Sequence, residues 1–146
     1  MSSKTAVLIA ERDSDWSGWV EPLGNEADDV VVIVQRRGES PGELAMRVRE
    51  RVLELRLESE ISAAALVGGA SWDDATLSAR ALMVRAIVTQ MVSSGTGCVY
   101  LDGGGQPGRG RHAMAALAAV VEDQLAQTGV AVVTGSAEQQ PLRRAA

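Results

Sequence analysis

The residues best suited to chemistry lie in one short segment rich in glycine and arginine. It runs from Asp102 to His112 and reads Asp-Gly-Gly-Gly-Gln-Pro-Gly-Arg-Gly-Arg-His. Glycines let a ligand approach the backbone closely, and guanidinium groups bind phosphate or carboxylate oxygens through paired hydrogen bonds. The ligand-binding residues predicted in this segment are Asp102, Gly103, Gly104, Gly105, Gly108, Arg109, Gly110 and Arg111.

The helix predicted directly after this segment, from His112 to about residue 127, favours an anion at its start. Arg109 and Arg111 stand at its N-terminal end, and no acidic residue lies in the first turn. Positive charge there opposes the helix dipole by about 0.3 to 1 kcal/mol per exposed charge, whereas a bound phosphate is favoured by the free backbone N–H groups. The alternative is a solvated loop in which Asp102 forms a weak surface ion pair with one of the arginines.

The composition excludes several classes of site. Lys4 is the only lysine and lies at the start of an apolar segment. This position excludes a Walker-type phosphate loop, and it excludes a lysine Schiff base in the loops at the carboxyl ends of the predicted strands. The single histidine and single cysteine cannot form a zinc site of the usual composition, although magnesium bound by oxygen ligands remains open. No pair of nucleophile and base can be named, so a binding protein is favoured over an enzyme.

Charge and hydropathy bear on partners and location. The formal net charge of −5 argues against a general nucleic-acid binder, which needs clustered cations. No apolar stretch approaches the roughly 20 residues of a membrane span, and the apolar stretch over residues 5–10 is too short for a signal peptide. The sequence therefore predicts a cytoplasmic protein with neither nucleic acid nor membrane as a partner.

Alternating strand and helix patterns predict the fold. Apolar segments at 5–10, 29–35, 61–67, 97–101 and 130–133 are typical of strands covered on both faces. Helical patterns separate the last four; the first begins with a Ser40, Pro41 and Glu43 capping sequence, and the second has a predicted buried stripe of Leu82, Met83, Ala86, Ile87 and Met91. Right-handed crossovers then make this run of strands parallel.

The resulting prediction is a single α/β domain over residues 1–146, with 137–146 as a flexible tail. Its fold class is a three-layer sandwich in which helices cover both faces of a five-stranded, mostly parallel sheet. The first strand is the one candidate for an antiparallel direction. Because loops that leave parallel strands share one edge, Ser71, Ser136, Arg36 and Arg37 are expected near the glycine-rich segment.

Two tryptophans favour a second interpretation of the function. Trp16 and Trp19 lie in a segment with the composition of a loop, where they either fold back over the core or form a contact patch for a protein partner. The alternative to ligand binding is therefore a ligand-free protein–protein interaction module or dimeric scaffold. A homodimer is expected in either case.

In plan, the chain resembles the universal stress protein family. The shared features are an N-terminal hydrophobic strand ending near Asp13, five strands in all, and a loop with glycine and arginine after the fourth strand. In that family, an aspartate after the first strand and the glycine-rich loop hold ATP in the nucleotide-binding members. The resemblance implies a regulatory or stress-type role, with ATP, with or without magnesium, contacted by Asp13, Gly105, Gly108, Gly110 and Ser136.

Overall fold

The computed structural model describes residues 3–69, 74–91, 97–102, 116–123 and 128–135. Five strands run through this part of the chain: β1 (Ser3–Ala10), β2 (Asp29–Val34), β3 (Ser59–Val67), β4 (Gly97–Asp102) and β5 (Val130–Thr134). A 3-10 turn (Ser17–Trp19) leads into the short helix α1 (Val20–Gly24), and the longer helices are α2 (Pro41–Glu58), α3 (Asp74–Met91) and α4, whose described residues are 116–123.

The five strands form one parallel sheet in the order β2-β1-β3-β4-β5. The expectation that the first strand might be antiparallel was wrong, because β1 lies inside the sheet and pairs in parallel with both β2 and β3. Its residues from Ala6 to Ala10 are fully buried. The predicted class, an α/β fold with helices on both faces of a five-stranded sheet, is confirmed.

The helices divide between the two faces of the sheet. The chain moves one way along the sheet from β1 to β2 and the other way from β2 onward, so right-handed connections place α1 opposite the remaining helices. One core is formed by α2, α3 and α4 against residues such as Val7, Ile9 and Leu66. On the other face, Trp19 and Leu23 pack against small and apolar strand residues, namely Ala6, Leu8, Ala63, Ala65, Cys98 and Tyr100.

The structure confirms most of what the sequence patterns predict for helices α2 and α3. Ser40 accepts a hydrogen bond from the backbone of Glu43, whose side chain accepts one from the backbone of Ser40, so the predicted capping box begins α2. In α3, Met83 and Ile87 are buried, but Leu82 is 59% exposed because the buried stripe passes through Ala79, Met83 and Ile87 instead. None of the helices within the described residues is both long and apolar enough to cross a membrane.

Candidate functional site

The carboxyl ends of the strands form the edge at which the sequence predicts a site. The chain leaves β1 toward one side of the sheet and reaches β3 on the other, and in open α/β sheets ligands bind in the crevice outside such a reversal point. Backbone bonds continue the ladder past the strand ends, from Glu11 N–H to Val67 O at 3.0 Å and from Gly68 N–H to Asp102 O at 2.7 Å. These hydrogen bonds fix the backbone positions from which the loops at this edge begin.

A buried ion pair lies at the reversal point. Glu11 follows β1 directly, and its carboxylate accepts hydrogen bonds from Nε and Nη2 of Arg80, which extends from α3. The backbone N–H of Gly69 donates to the same carboxylate at 2.9 Å. Both charged side chains are almost completely removed from solvent. The negative charge at the end of β1 is thus neutralised by the chain itself and is not offered to a ligand.

The loops after β1 and β3 are in close contact. A Cβ atom placed on Gly69 would lie 2.2 Å from the carbonyl oxygen of Arg12, far inside van der Waals contact. A glycine is therefore required at this position for the two loops to pack as they do. Together with the Glu11–Arg80 pair, this packing joins the loop after β1, the loop after β3 and helix α3.

Asp102 is the one residue of the predicted glycine-rich site that the structure describes. It is buried at the end of β4, and its carboxylate accepts a hydrogen bond from Nε1 of Trp19 at 2.8 Å. Its side chain therefore fastens the turn before α1 to the sheet from a buried position, and its predicted pairing with Arg109 or Arg111 stays a prediction because both arginines lie outside the described residues. Ser71, Gly103 to Arg111, His112 and Ser136 lie outside the described residues, and their roles stay predictions.

The tryptophans fold back over the sheet. Trp19 is fully buried, with its ring centroid 5.0 Å from that of Tyr100, and Trp16 is partly buried against the same core. The predicted contact patch for a protein partner is therefore wrong for Trp19, because its indole is consumed by packing and by the bond to Asp102. Of the two alternatives that the sequence left open, packing over the core is the one observed.

Beneath Trp19, the hydroxyl of Tyr100 donates a hydrogen bond to the carboxylate of Glu26 at 2.8 Å. Burial raises the pKa of Tyr100 above its usual range, and the bond to Glu26 raises it further. The phenol is therefore held protonated as part of the packing around α1.

Exposed arginines follow the first two strands. Ala10 pairs with Val34, and Arg12 and Arg36 each lie two residues beyond these paired ends. The backbone N–H of Arg12 donates to Oε1 of Gln35 at 2.9 Å. Arg12, Arg36 and Arg37 are all exposed. In the part of the chain that the structure describes, none of these three side chains forms a salt bridge.

Arg47, a further arginine near this edge, is bound by the chain's own groups. Arg47 of α2 donates from Nε and Nη2 to the carboxylate of Glu39 at 2.9 and 2.8 Å, and it also donates to the carbonyl of Val34 at 2.6 Å. The hydrogen bond from Arg47 lowers the pKa of Glu39, so this carboxylate stays ionised. Glu39 and Arg47 thus hold the start of α2 against the end of β2.

Asp13 is the residue that the family resemblance places on the nucleotide. It is exposed in the loop after β1, with a φ of 64°, a backbone conformation that aspartate tolerates better than most residues. Its position at the carboxyl edge is compatible with a ligand there. Within the described ranges, no cluster of three or more His, Cys, Asp or Glu side chains is arranged to hold a metal ion.

Sequence reasoning missed the Glu11–Arg80 pair, although a signal for it existed. Arg80 lies three residues before Met83 and seven before Ile87, so it falls on the buried stripe of α3. A charged residue on such a stripe requires a partner of opposite charge, and Glu11 directly follows the buried apolar residues from Ala6 to Ala10.

Comparisons with known proteins bear on the fold. No protein-family model matches the chain, and no curated protein is similar to it in sequence. A short-chain dehydrogenase from Rhodopseudomonas palustris superposes with a TM-score of 0.51 at 13% identity, covering 90% of this chain and 84% of that one. A short-chain dehydrogenase from Streptomyces avermitilis superposes with a TM-score of 0.50 at 15% identity, covering 92% of this chain.

The second of these proteins is longer, since this chain spans only 64% of its length. At such low identity the two similarities show the fold alone, a Rossmann-like α/β sheet. The resemblance to universal stress proteins stays a prediction.

Proposed function

We propose that this chain binds a phosphate-bearing anion, with a nucleotide as the favoured class, at the carboxyl edge of its sheet. The observation that carries the proposal is the group of exposed guanidinium side chains of Arg12, Arg36 and Arg37 on adjacent strand ends. Arg47 and Arg80, by contrast, are bound to the chain's own carboxylates. The role that follows is that of a cytoplasmic regulatory or stress-type protein.

The chemistry of these side chains suits phosphate. Guanidinium groups bind phosphate oxygens through paired hydrogen bonds, and like charges on neighbouring strand ends repel one another until an anion lies between them. In dinucleotide-binding folds, an arginine near the end of the second strand accommodates a phosphate on the ribose. Arg36 and Arg37 hold the corresponding position after β2.

The size of the edge favours an extended ligand. β2 and β4 are separated by β1 and β3, a distance of three inter-strand spacings, or about 14 Å. A ligand that contacts the arginines after β2 and the glycine-rich segment with Arg109 and Arg111 after β4 must span this distance. A nucleotide, with or without magnesium, meets that requirement better than a single phosphate ion.

The turn after β1 argues against a dehydrogenase. Dinucleotide-binding folds place a glycine-rich turn between the first strand and a helix whose N-terminus binds the pyrophosphate. Here the turn contains Glu11, Arg12, Asp13 and Ser14, with no glycine, and α1 begins only at Val20. We therefore transfer the fold of the two dehydrogenases to this chain and propose a different mode of ligand contact.

A thermal-shift panel of ATP, ADP, GTP and inorganic phosphate, each with magnesium or with EDTA, tests the proposal. A ligand at about 100 times its dissociation constant should add about 2.7 kcal/mol of stability. Arg36→Ala with Arg37→Ala should abolish that shift, and Arg109→Ala with Arg111→Ala should reduce it. Arg51→Ala is the control, because Arg51 forms only an exposed pair with Glu54 on α2. Shifts that survive the Arg36 and Arg37 changes would refute the site.

A further inference from the structure

A groove runs between α2 and α3 on the outer side of these helices. It encloses about 410 Å³ and is lined by Ala45, Met46, Arg49, Leu53, Leu82, Arg85, Ala86, Thr89 and Gln90. The two helices pack side by side on one face of the sheet, and the groove lies on that face. None of its lining residues is among those proposed for the anion site.

Large apolar side chains line this groove without being buried. Met46 is 56% exposed, Leu53 is 47% exposed and Leu82 is 59% exposed. Met46 and Leu53 are seven residues apart on α2, so they share one face of the helix. Burial of such side chains is the main favourable term in protein association, which makes the groove a candidate docking surface.

The charge of the groove is positive and uncompensated. Arg49 and Arg85 line it, and no carboxylate is among its described lining residues. Arg47 and Arg51, which lie on α2 with Arg49, each pair with a glutamate. Arg49 and Arg85 form no salt bridge within the described residues. A locally cationic, apolar surface thus lies on a chain whose formal net charge is −5.

We propose that this groove binds an amphipathic helix of a partner protein whose apolar residues are flanked by Asp or Glu. A third helix fits its ridge of side chains into the groove between two packed helices, with apolar anchors at helical spacing. Carboxylates on that helix would pair with Arg49 and Arg85. A second copy of this chain is a poorer occupant, because a two-fold contact through the groove brings these arginines near their own symmetry mates.

A selection experiment tests the chemistry of the occupant. The whole chain is presented to a display library of random 18-residue segments, and the Leu53→Ser, Leu82→Ser variant serves for counter-selection. Segments that bind the unmodified chain should carry apolar residues at a spacing of three to four and a net negative charge. No enrichment over the variant, or enrichment of segments without acidic residues, would overturn the proposal.

Charge reversal then tests the arginines directly. A synthetic peptide of the selected sequence should lose at least about tenfold in affinity for Arg49→Glu with Arg85→Glu, and a peptide with Lys in place of its acidic residues should regain it. Arg51→Glu, a single charge reversal on α2 outside the groove lining, should leave binding unaltered. An unmodified dimer that Leu53→Asp converts to monomer in sedimentation would assign the groove to a second copy and overturn the proposal.

Discussion

Arg80, in the middle of α3, donates from Nε and Nη2 to the carboxylate of Glu11 at the end of β1. Arg80 is 1% exposed and Glu11 is 10% exposed at the side chain, so both charges are almost completely removed from solvent. The pair joins a helix on one face of the sheet to an interior strand at the point where ligands bind in related architectures. Its first consequence is for stability.

Removal of either partner of this pair should destabilise the fold strongly. Removal of both should cost less than the sum of the two single changes. Arg80→Met leaves the Glu11 carboxylate buried without its cation and should cost about 3 to 5 kcal/mol of unfolding free energy. Glu11→Gln retains an acceptor for the Gly69 N–H but removes the carboxylate charge that faces the guanidinium. Urea denaturation of both single variants and the double variant gives the coupling, and strictly additive losses would contradict the pairing.

The contact between Gly69 and Arg12 predicts that position 69 tolerates no side chain. Gly69→Ala places a Cβ against a backbone carbonyl, which cannot rotate away, and should destabilise the chain by about 1 to 3 kcal/mol. Gly42→Ala is the matched control, because Gly42 lies in the first turn of α2 with nothing within 4 Å of the added atom. It should raise stability by about 0.5 to 1 kcal/mol. Equal effects in thermal denaturation would contradict the close packing of the two loops.

The hydrogen bond from Trp19 to Asp102 predicts that Asp102 stabilises the fold, whereas the sequence predicted that it binds a ligand. Asp102→Ala leaves the indole N–H buried without this acceptor and should cost about 1 to 3 kcal/mol, whereas Asp102→Asn retains an oxygen and should cost less. Tryptophan fluorescence and urea denaturation monitor both. If Asp102→Asn abolishes nucleotide binding while stability is kept, the carboxylate has a ligand role as well.

Local patterns predicted the elements of this fold well. Apolar runs located all five strands, and Ser40 with Glu43 located the start of α2, because strand burial and helix capping depend on residues close in sequence. The direction of β1 was harder to predict. It depends on which strands pair with it, and β3 joins it from more than fifty residues further along the chain.

The candidate site was predictable in its place but not in its side-chain partners. The shared carboxyl edge follows from the predicted parallel direction of the strands, and Arg36 and Arg37 were expected there. Asp102 binds Trp19, which lies 83 residues away in sequence, and no local pattern indicates that pair. Leu82 shows a smaller limit of the same kind, since a shift of one residue in the buried stripe of α3 decides whether it faces the core or the groove.

We expect Tyr100 to stay protonated while the chain is folded. It is the only tyrosine of the sequence, and burial together with the bond to Glu26 raises its pKa from the usual value of 10.0. The ultraviolet absorbance of tyrosinate should therefore stay absent as the pH passes 10 and appear only when the protein unfolds. Because the folded state keeps a proton that the unfolded state releases, the free energy of unfolding should fall as the pH rises above 10.0.

Tyr100→Phe separates this titration from other alkaline effects. The variant keeps the ring that packs 5.0 Å from Trp19 but lacks the hydroxyl that donates to Glu26, so its stability should be lower than that of the unmodified chain at neutral pH. Above pH 10.0 the difference should shrink, since the unmodified chain alone loses stability through this group. Tyrosinate absorbance near its ordinary pKa in the folded chain would show that the phenol is open to solvent and not held by Glu26.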